Sequence, residues 1–140
     1  MIEQAHTEKN IRNGKTVQSG FRILVAEDEE SNFRYVEKLL RKAGFELLRA
    51  TNGLEAVEFV NIDPKIDLVL MDIKMPLMNG IEATREIKKR KPQLPIIATT
   101  AFAIPGDREV FLKAGCDNYI PKPIRAGNLI DMIINHIHAR

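Results

Sequence analysis

Asp67-Leu68-Val69-Leu70-Met71-Asp72, followed after Ile73 by Lys74-Met75-Pro76-Leu77-Met78-Asn79-Gly80, decides how this chain folds. Four apolar residues in a row carry a carboxylate at their C-terminal end. The proline, asparagine and glycine beyond it cannot continue a strand. A short apolar run bounded by turn signals reads as a strand buried on both faces. That implies a parallel sheet with helices on each side. In such sheets ligands bind beyond the carboxyl ends of the strands, which is where Asp72 stands.

Upstream, Phe21-Arg22-Ile23-Leu24-Val25-Ala26 is a first strand that ends in Glu27-Asp28-Glu29-Glu30. Ser31 or Asn32 can cap the next helix, whose buried side is Phe33, Val36, Leu39 and Leu40. Gly44 closes that helix, and Phe45 to Ala50 form a second strand. Asn52 caps a helix with Leu54, Ala56, Val57 and Val60 as its apolar face, and Asp63-Pro64 breaks it. Downstream, a helix from about Gly80 to Arg90 buries Ile81, Thr84 and Ile87. Lys88 to Lys91 load its C-terminal end with positive charge, as the helix dipole favours.

Pro95 to Thr100 make the fourth strand, with proline tolerated at its first position. Asp107 to Ala114 form a short helix stopped by Gly115. Asn118-Tyr119-Ile120 are the fifth strand, ended by Pro121-Lys122-Pro123. The last helix, from about Arg125 to His138, turns Leu129, Ile130, Ile133, Ile134 and Ile137 inward. Five strands alternating with five helices make an α/β doubly wound parallel sheet with right-handed crossovers. Residues 1–20 are polar and without period. They read as a flexible N-terminal linker, with a helix over part of Glu3 to Arg12 as an option, so that the folded domain covers residues 21–140.

Size and composition narrow the function classes. The 140 residues suit one domain. A net charge of +2 is too small to argue for nucleic acid or a membrane surface. No apolar run approaches the roughly 18 residues of a spanning helix. The start, Met1 to His6, lacks the basic and apolar regions of a secretory signal. Cys116 is the single cysteine, which excludes an internal disulfide and fits a reducing, cytoplasmic setting.

The polar residues at strand ends carry the chemistry. Glu27-Asp28 follow the first strand, Asp72 the third, Thr100 the fourth and Lys122 the fifth. In a parallel sheet all these ends lie on one edge. Carboxylates are the hard ligands Mg²⁺ prefers. Asp28 and Asp72 would bind it directly, Glu27 directly or through water, and the backbone carbonyl of Lys74 could join them. Asp72 is then placed to attack phosphorus and form an acyl phosphate. The Lys122 ammonium and the Thr100 hydroxyl can meet the phosphoryl oxygens, in a reaction that asks mainly for alignment and charge neutralisation.

Four segments in this order resemble the receiver domain of bacterial two-component response regulators, also found fused to hybrid sensor histidine kinases. They are Ile23 to Asp28, Leu70 to Gly80, Pro95 to Ala101 and Gly115 to Pro123. The resemblance covers residues 21 to 138. It implies a flavodoxin-like (βα)5 sheet of strand order 2-1-3-4-5 and a cis Lys122–Pro123 bond. It implies Asp72 as phosphoacceptor, Glu27 and Asp28 as the acidic Mg²⁺ pair, and Thr100 and Lys122 as phosphoryl-binding groups. Tyr119 matches the aromatic that swings inward on switching. The implied phosphodonor is a phosphohistidine on a histidine kinase or histidine phosphotransfer protein. The domain would be a switch and not an enzyme in its own right, and a weak homodimer is compatible with it. A hybrid sensor histidine kinase is the favoured parent and a stand-alone single-domain regulator the alternative.

Plainer roles suit other residues. Glu29 and Glu30 fit a solvated helix start, and Met71, Met75 and Met78 fit packing. Tyr119 serves equally as a core aromatic. His6, His136 and His138 read as solvent-facing, and Cys116 as a small packed hydrophobe. A Mg²⁺-dependent phosphohydrolase with an aspartate nucleophile is the rival from another class. Such enzymes carry a second acid two residues after the nucleophile, where this chain has Lys74.

Overall fold

The computed structural model describes residues 9–12, 15–18, 20–101 and 105–139. Two short strands, β1 (Lys9–Arg12) and β2 (Lys15–Gln18), pair antiparallel, with Arg12 opposite Lys15. The helix considered over part of Glu3 to Arg12 therefore does not include Lys9–Arg12; its remaining range, residues 3–8, lies outside the described residues. The overlooked local signal is the Asn13-Gly14 dipeptide between the strands, the pair that most favours a two-residue hairpin connection.

The other elements alternate along the chain as β3 (Arg22–Ala26), α1 (Glu30–Lys42), β4 (Glu46–Ala50), α2 (Gly53–Ile62), β5 (Leu68–Asp72), α3 (Gly80–Arg90), β6 (Ile96–Thr100), α4 (Asp107–Ala114), β7 (Asn118–Pro121) and α5 (Ala126–His138). Their strands form one five-stranded sheet of order β4-β3-β5-β6-β7, with every neighbouring pair parallel. Counted within that sheet the order is 2-1-3-4-5, the flavodoxin-like arrangement.

Alternation along the strands sorts the core into two layers. Leu24, Val69, Met71, Ile96 and Ala98 pack with Ala56 and Val60 of α2, Ala83 and Ile87 of α3 and Phe111 of α4. Ile23, Val25, Leu68, Leu70 and Ile97 pack on the other side, with Phe33, Val36 and Leu40 of α1 and Leu129, Ile133 and Ile137 of α5. Every residue of β5 and β6 is buried. That is why the central strand reads as an unbroken apolar run.

Several local expectations change. Glu29 stands at the N-cap of α1, not Ser31 or Asn32, and it makes no side-chain cap. Other partners replace the cap: the first-turn acid Glu30 binds Arg49 of β4 at 2.6 Å, and the Glu29 N–H donates to the nearby Glu27 Oε2 at 3.2 Å. In α2 the inward positions are Gly53, Ala56 and Val60, so Leu54 falls outside that stripe and is exposed. Ile130 and Ile134 only flank the inward stripe of α5 and are half-buried. His136 is half-buried, not solvent-facing, and its Nε2 lies 3.3 Å from Asn118 Nδ2. His138 is exposed, with its ring 6.2 Å from that of Phe21.

One polar cluster holds the start of β6. Lys88 Nζ donates to the carbonyls of Leu94 at 2.7 Å and Pro92 at 3.3 Å and to Asp117 Oδ2 at 2.8 Å. The same Asp117 oxygen accepts the Ile96 N–H at 2.8 Å. Lys88→Ala removes the cation and leaves the carbonyl of the buried Leu94 short of a donor. It is expected to cost about 1–2 kcal/mol, read as a lower midpoint in urea unfolding at unchanged slope.

Candidate functional site

Asp72 is the last residue of β5, and Glu27 is the first beyond the neighbouring β3. The Glu27 N–H donates to the Ala50 carbonyl at 2.9 Å, so the β3–β4 ladder runs one step past the strand before the acidic turn begins. On the other flank the Lys122 N–H donates to the Thr100 carbonyl at 2.7 Å, which extends the β6–β7 ladder in the same way. The Lys122–Pro123 peptide that follows is cis. Main-chain bonds therefore present both side chains at the carboxyl edge of the sheet.

There the Lys122 ammonium donates to Glu27 Oε1 at 3.0 Å and to Asp72 Oδ1 at 3.3 Å. Glu27 and Asp72 are buried, Lys122 is half-buried and Asp28 is exposed. One carboxylate oxygen from each of Glu27, Asp28 and Asp72 lies within 4.8 Å of the other two. Thr100 is buried at the end of β6, one residue past Thr99, the register partner of Asp72. Thr99 shares the Asp72 side of the sheet, and Thr100 shares the side on which Tyr119 packs. Tyr119 is half-buried, with its ring edge-on to Phe111 at 5.8 Å between centroids. Lys74, two residues past Asp72, is exposed.

Burial pushes the Asp72 carboxyl up to about 6. The charge of Glu27 adds to this, and the charge and hydrogen bond of Lys122 oppose it. Burial disfavours the charge on Lys122, but the Glu27 hydrogen bond and the Asp72 charge outweigh it and hold the ammonium above its ordinary pKa. Three carboxylates against one ammonium leave a formal excess of two negative charges. An excess of that size in hard oxygen donors, with Asp28 open to solvent, fits a small divalent cation. Elsewhere, Cys116 is buried, its Sγ 3.8 Å from Thr84 Oγ1, and burial raises its pKa. Met71 and Met75 are core residues and Met78 packs against the core.

Two residues at the site escaped the sequence reading. Gly80 opens α3, and its N–H donates to the Ile73 carbonyl at 2.9 Å, so the helix start lies directly on the Asp72–Ile73 main chain. Arg49 donates from Nε and Nη2 to the Glu27 carbonyl, both at 3.2 Å. Gly80 could have been suspected from its place after the turn residues. Arg49 left one faint signal, a charged residue near the inner end of a strand. A cavity of about 390 Å³ opens beside Glu27 and Lys122. Tyr35 lines it too, its hydroxyl donating to the Ile124 carbonyl at 2.7 Å.

The family model for the response regulator receiver domain matches residues 23–134. Hybrid signal transduction histidine kinase I of Dictyostelium discoideum is 41% identical over 124 residues, 83% of this chain but only 7% of that protein. The polar-differentiation response regulator DivK of Brucella anthropi is 37% identical over 117 residues, 82% of this chain and 94% of that protein. Among solved structures, the receiver domain of a Pseudomonas aeruginosa sensor histidine kinase, with a magnesium ion in its active-site cleft, superposes with a TM-score of 0.80. It is 35% identical and covers 86% of this chain and 99% of its own.

Proposed function

This chain belongs to the response regulator receiver domain family, and on that premise we propose that Asp72 accepts a phosphoryl group from a phosphohistidine and thereby switches partner binding. The observation that carries the reading is the Lys122 ammonium, set within 3.3 Å of a buried aspartate at the carboxyl edge of the sheet, with two more carboxylates beside it. Glu27, Asp28 and Asp72, with the main-chain carbonyl of Lys74, would hold Mg²⁺, which supplies charge neutralisation for the phosphoryl oxygens.

An Asp72 carboxylate oxygen forms the bond to phosphorus as the phosphorus–nitrogen bond of the donor breaks. The electron pair leaves with the imidazole, which takes a proton from solvent. The product is an acyl phosphate, with the charge of the donor phosphoryl conserved. Lys122 then trades its Asp72 contact for a phosphoryl oxygen, and the Thr100 hydroxyl donates to another. Thr100 and Tyr119 share one side of the sheet. Movement of that hydroxyl and of the Tyr119 ring toward the site would repack the surface formed by α4, β7 and α5 and change its affinity for a partner.

The proposed donor is a histidine kinase or histidine phosphotransfer protein, and the proposed parent a hybrid sensor histidine kinase working in the cytoplasm. The identity to the Dictyostelium kinase and to the Pseudomonas sensor-kinase receiver supports that parent. Among the described residues no helix is long and apolar enough to cross a membrane. The Brucella relative, matched over nearly its whole length, supports the single-domain alternative.

Acetyl phosphate with Mg²⁺, followed by intact mass measurement, tests the reading. One phosphoryl adduct that forms and then decays is the expected result. Steady phosphate release at enzyme-like turnover, or no adduct from acetyl phosphate or a phosphohistidine donor, overturns it.

A further inference from the structure

Arg49 lies in β4, one position before its end, and its guanidinium reaches over the acidic turn that follows β3. Nε and Nη2 both donate to the Glu27 carbonyl at 3.2 Å, and Nη2 also reaches the Asp28 carbonyl at 3.4 Å. Nη1 donates to Glu30 Oε1 at 2.6 Å. The guanidinium carbon sits 4.5 Å from the centre of the ring of Phe33, a buried core residue in the first turn of α1. One planar cation thus joins β4, the acidic turn and the first turns of α1. A lysine in its place would be a point charge without the fork.

The turn needs such a clamp for an electrostatic reason. Glu27, Asp28 and Asp72 crowd their carboxylates together; Lys122 bridges Glu27 to Asp72, but three negative charges against one positive still leave a repulsion that works against a close turn. The main-chain carbonyls of Glu27 and Asp28 add dipoles just beyond the last ladder bond. Arg49 binds those carbonyls and leaves the Asp28 carboxylate to solvent. We propose that Arg49 is a positioning residue that holds the Glu27–Asp28 turn in the shape needed to bind a divalent cation. This rests on the reading of the acidic cluster as a Mg²⁺ site.

The sign of one measurement separates positioning from simple charge. Deleting a nearby positive charge should tighten Mg²⁺ binding by Coulomb's law. Deleting a clamp should weaken it, as loss of residues that orient metal ligands does elsewhere. Arg49→Met keeps packing on Phe33 but loses fork and charge, and Arg49→Lys keeps the charge and loses the fork. MgCl₂ is titrated calorimetrically into the full chain and both variants at fixed ionic strength, with thermal unfolding in chelator reporting fold integrity. Both variants are expected to raise the Kd about tenfold.

Any other pattern in a folded variant overturns the proposal: a Kd within about twofold of the parent, a tighter Kd, or restoration by lysine. If Arg49→Met does not fold, Arg49→Lys decides alone. A parent chain that binds no Mg²⁺ overturns the metal reading itself, and this inference with it. Normal Mg²⁺ binding in the parent and in both folded variants overturns the role of Arg49 only.

Discussion

Asp72→Asn is expected to take no phosphoryl group from acetyl phosphate or a phosphohistidine donor, while folding more stably than the parent at neutral pH. The first half follows from chemistry: an amide oxygen carries no charge and is a poor nucleophile, and among the described residues no other carboxylate holds the same place. Glu27 is engaged on both oxygens, by Lys122 and by the Glu29 N–H, and Asp28 is exposed. Intact mass after incubation with donor and Mg²⁺ should show the adduct in the parent and none in the variant. An equal adduct in the variant would place the acceptor elsewhere.

The stability half follows from the raised carboxyl. Asp72 is held at about 6, against about 3.9 in an unfolded chain. A folded state that binds a proton more tightly than the unfolded one is favoured at low pH. That stability is fully present below about pH 4 and is lost as pH rises through about 6. Above that window the parent keeps a buried carboxylate beside Glu27, opposed only in part by Lys122. Asp72→Asn removes the charge, so the variant should gain about 1–3 kcal/mol at pH 7, shrinking toward zero near pH 4. Urea unfolding in chelator at both pH values measures it. A gap that is largest at pH 4 would contradict the assignment of burial as the dominant cause.

Gly80→Ala carries the second large effect, and its sign is informative. Alanine is normally the better helix residue, by about 1 kcal/mol. At Gly80, however, a Cβ would overlap the Asp72 carbonyl oxygen and lie 2.9 Å from the Ile73 Cα, both main-chain atoms of the acceptor segment. Neither can rotate away. The helix start or the end of β5 must shift, at a cost of about 2–4 kcal/mol. Gly127→Ala in α5 is the control, because a Cβ there meets nothing within 4 Å. That variant should gain up to about 1 kcal/mol. Denaturant midpoints of the two variants should therefore move in opposite directions, and Gly80→Ala should also slow phosphoryl uptake because it displaces the acceptor. Matching gains in both variants would show that the α3 start has room that the structure denies it.

Much of the site is legible before folding is considered. Asp72, Glu27-Asp28, Thr100 and Lys122 each follow an apolar run, and the parallel-sheet rule gathers such positions on one edge. The antiparallel pairing of β1 with β2 was legible too, because the sequence sets an Asn-Gly pair between the two segments, but their polar composition without period hid it. Leu54 shows the opposite limit. Its hydrophobicity suggested a buried face, yet the inward positions of α2 are Gly53, Ala56 and Val60, and Gly53 lets the helix start lie directly on the Met78 carbonyl.

The amino-acid order alone determines the alternation of strands and helices, the central buried strand and the acid at its tip. Strand and helix periods, turn residues and helix stops are properties of neighbours along the chain. Which acid the lysine binds more closely, how far Asp72 is shifted and what braces the acidic turn are settled only in three dimensions. Lys122 is 95 positions from Glu27 and 50 from Asp72, and Arg49 is 22 from Glu27. Between groups so far apart, distance, burial and hydrogen-bond geometry exist only once the sheet has formed, because the pairing of β4, β3, β5, β6 and β7 is what sets their ends side by side.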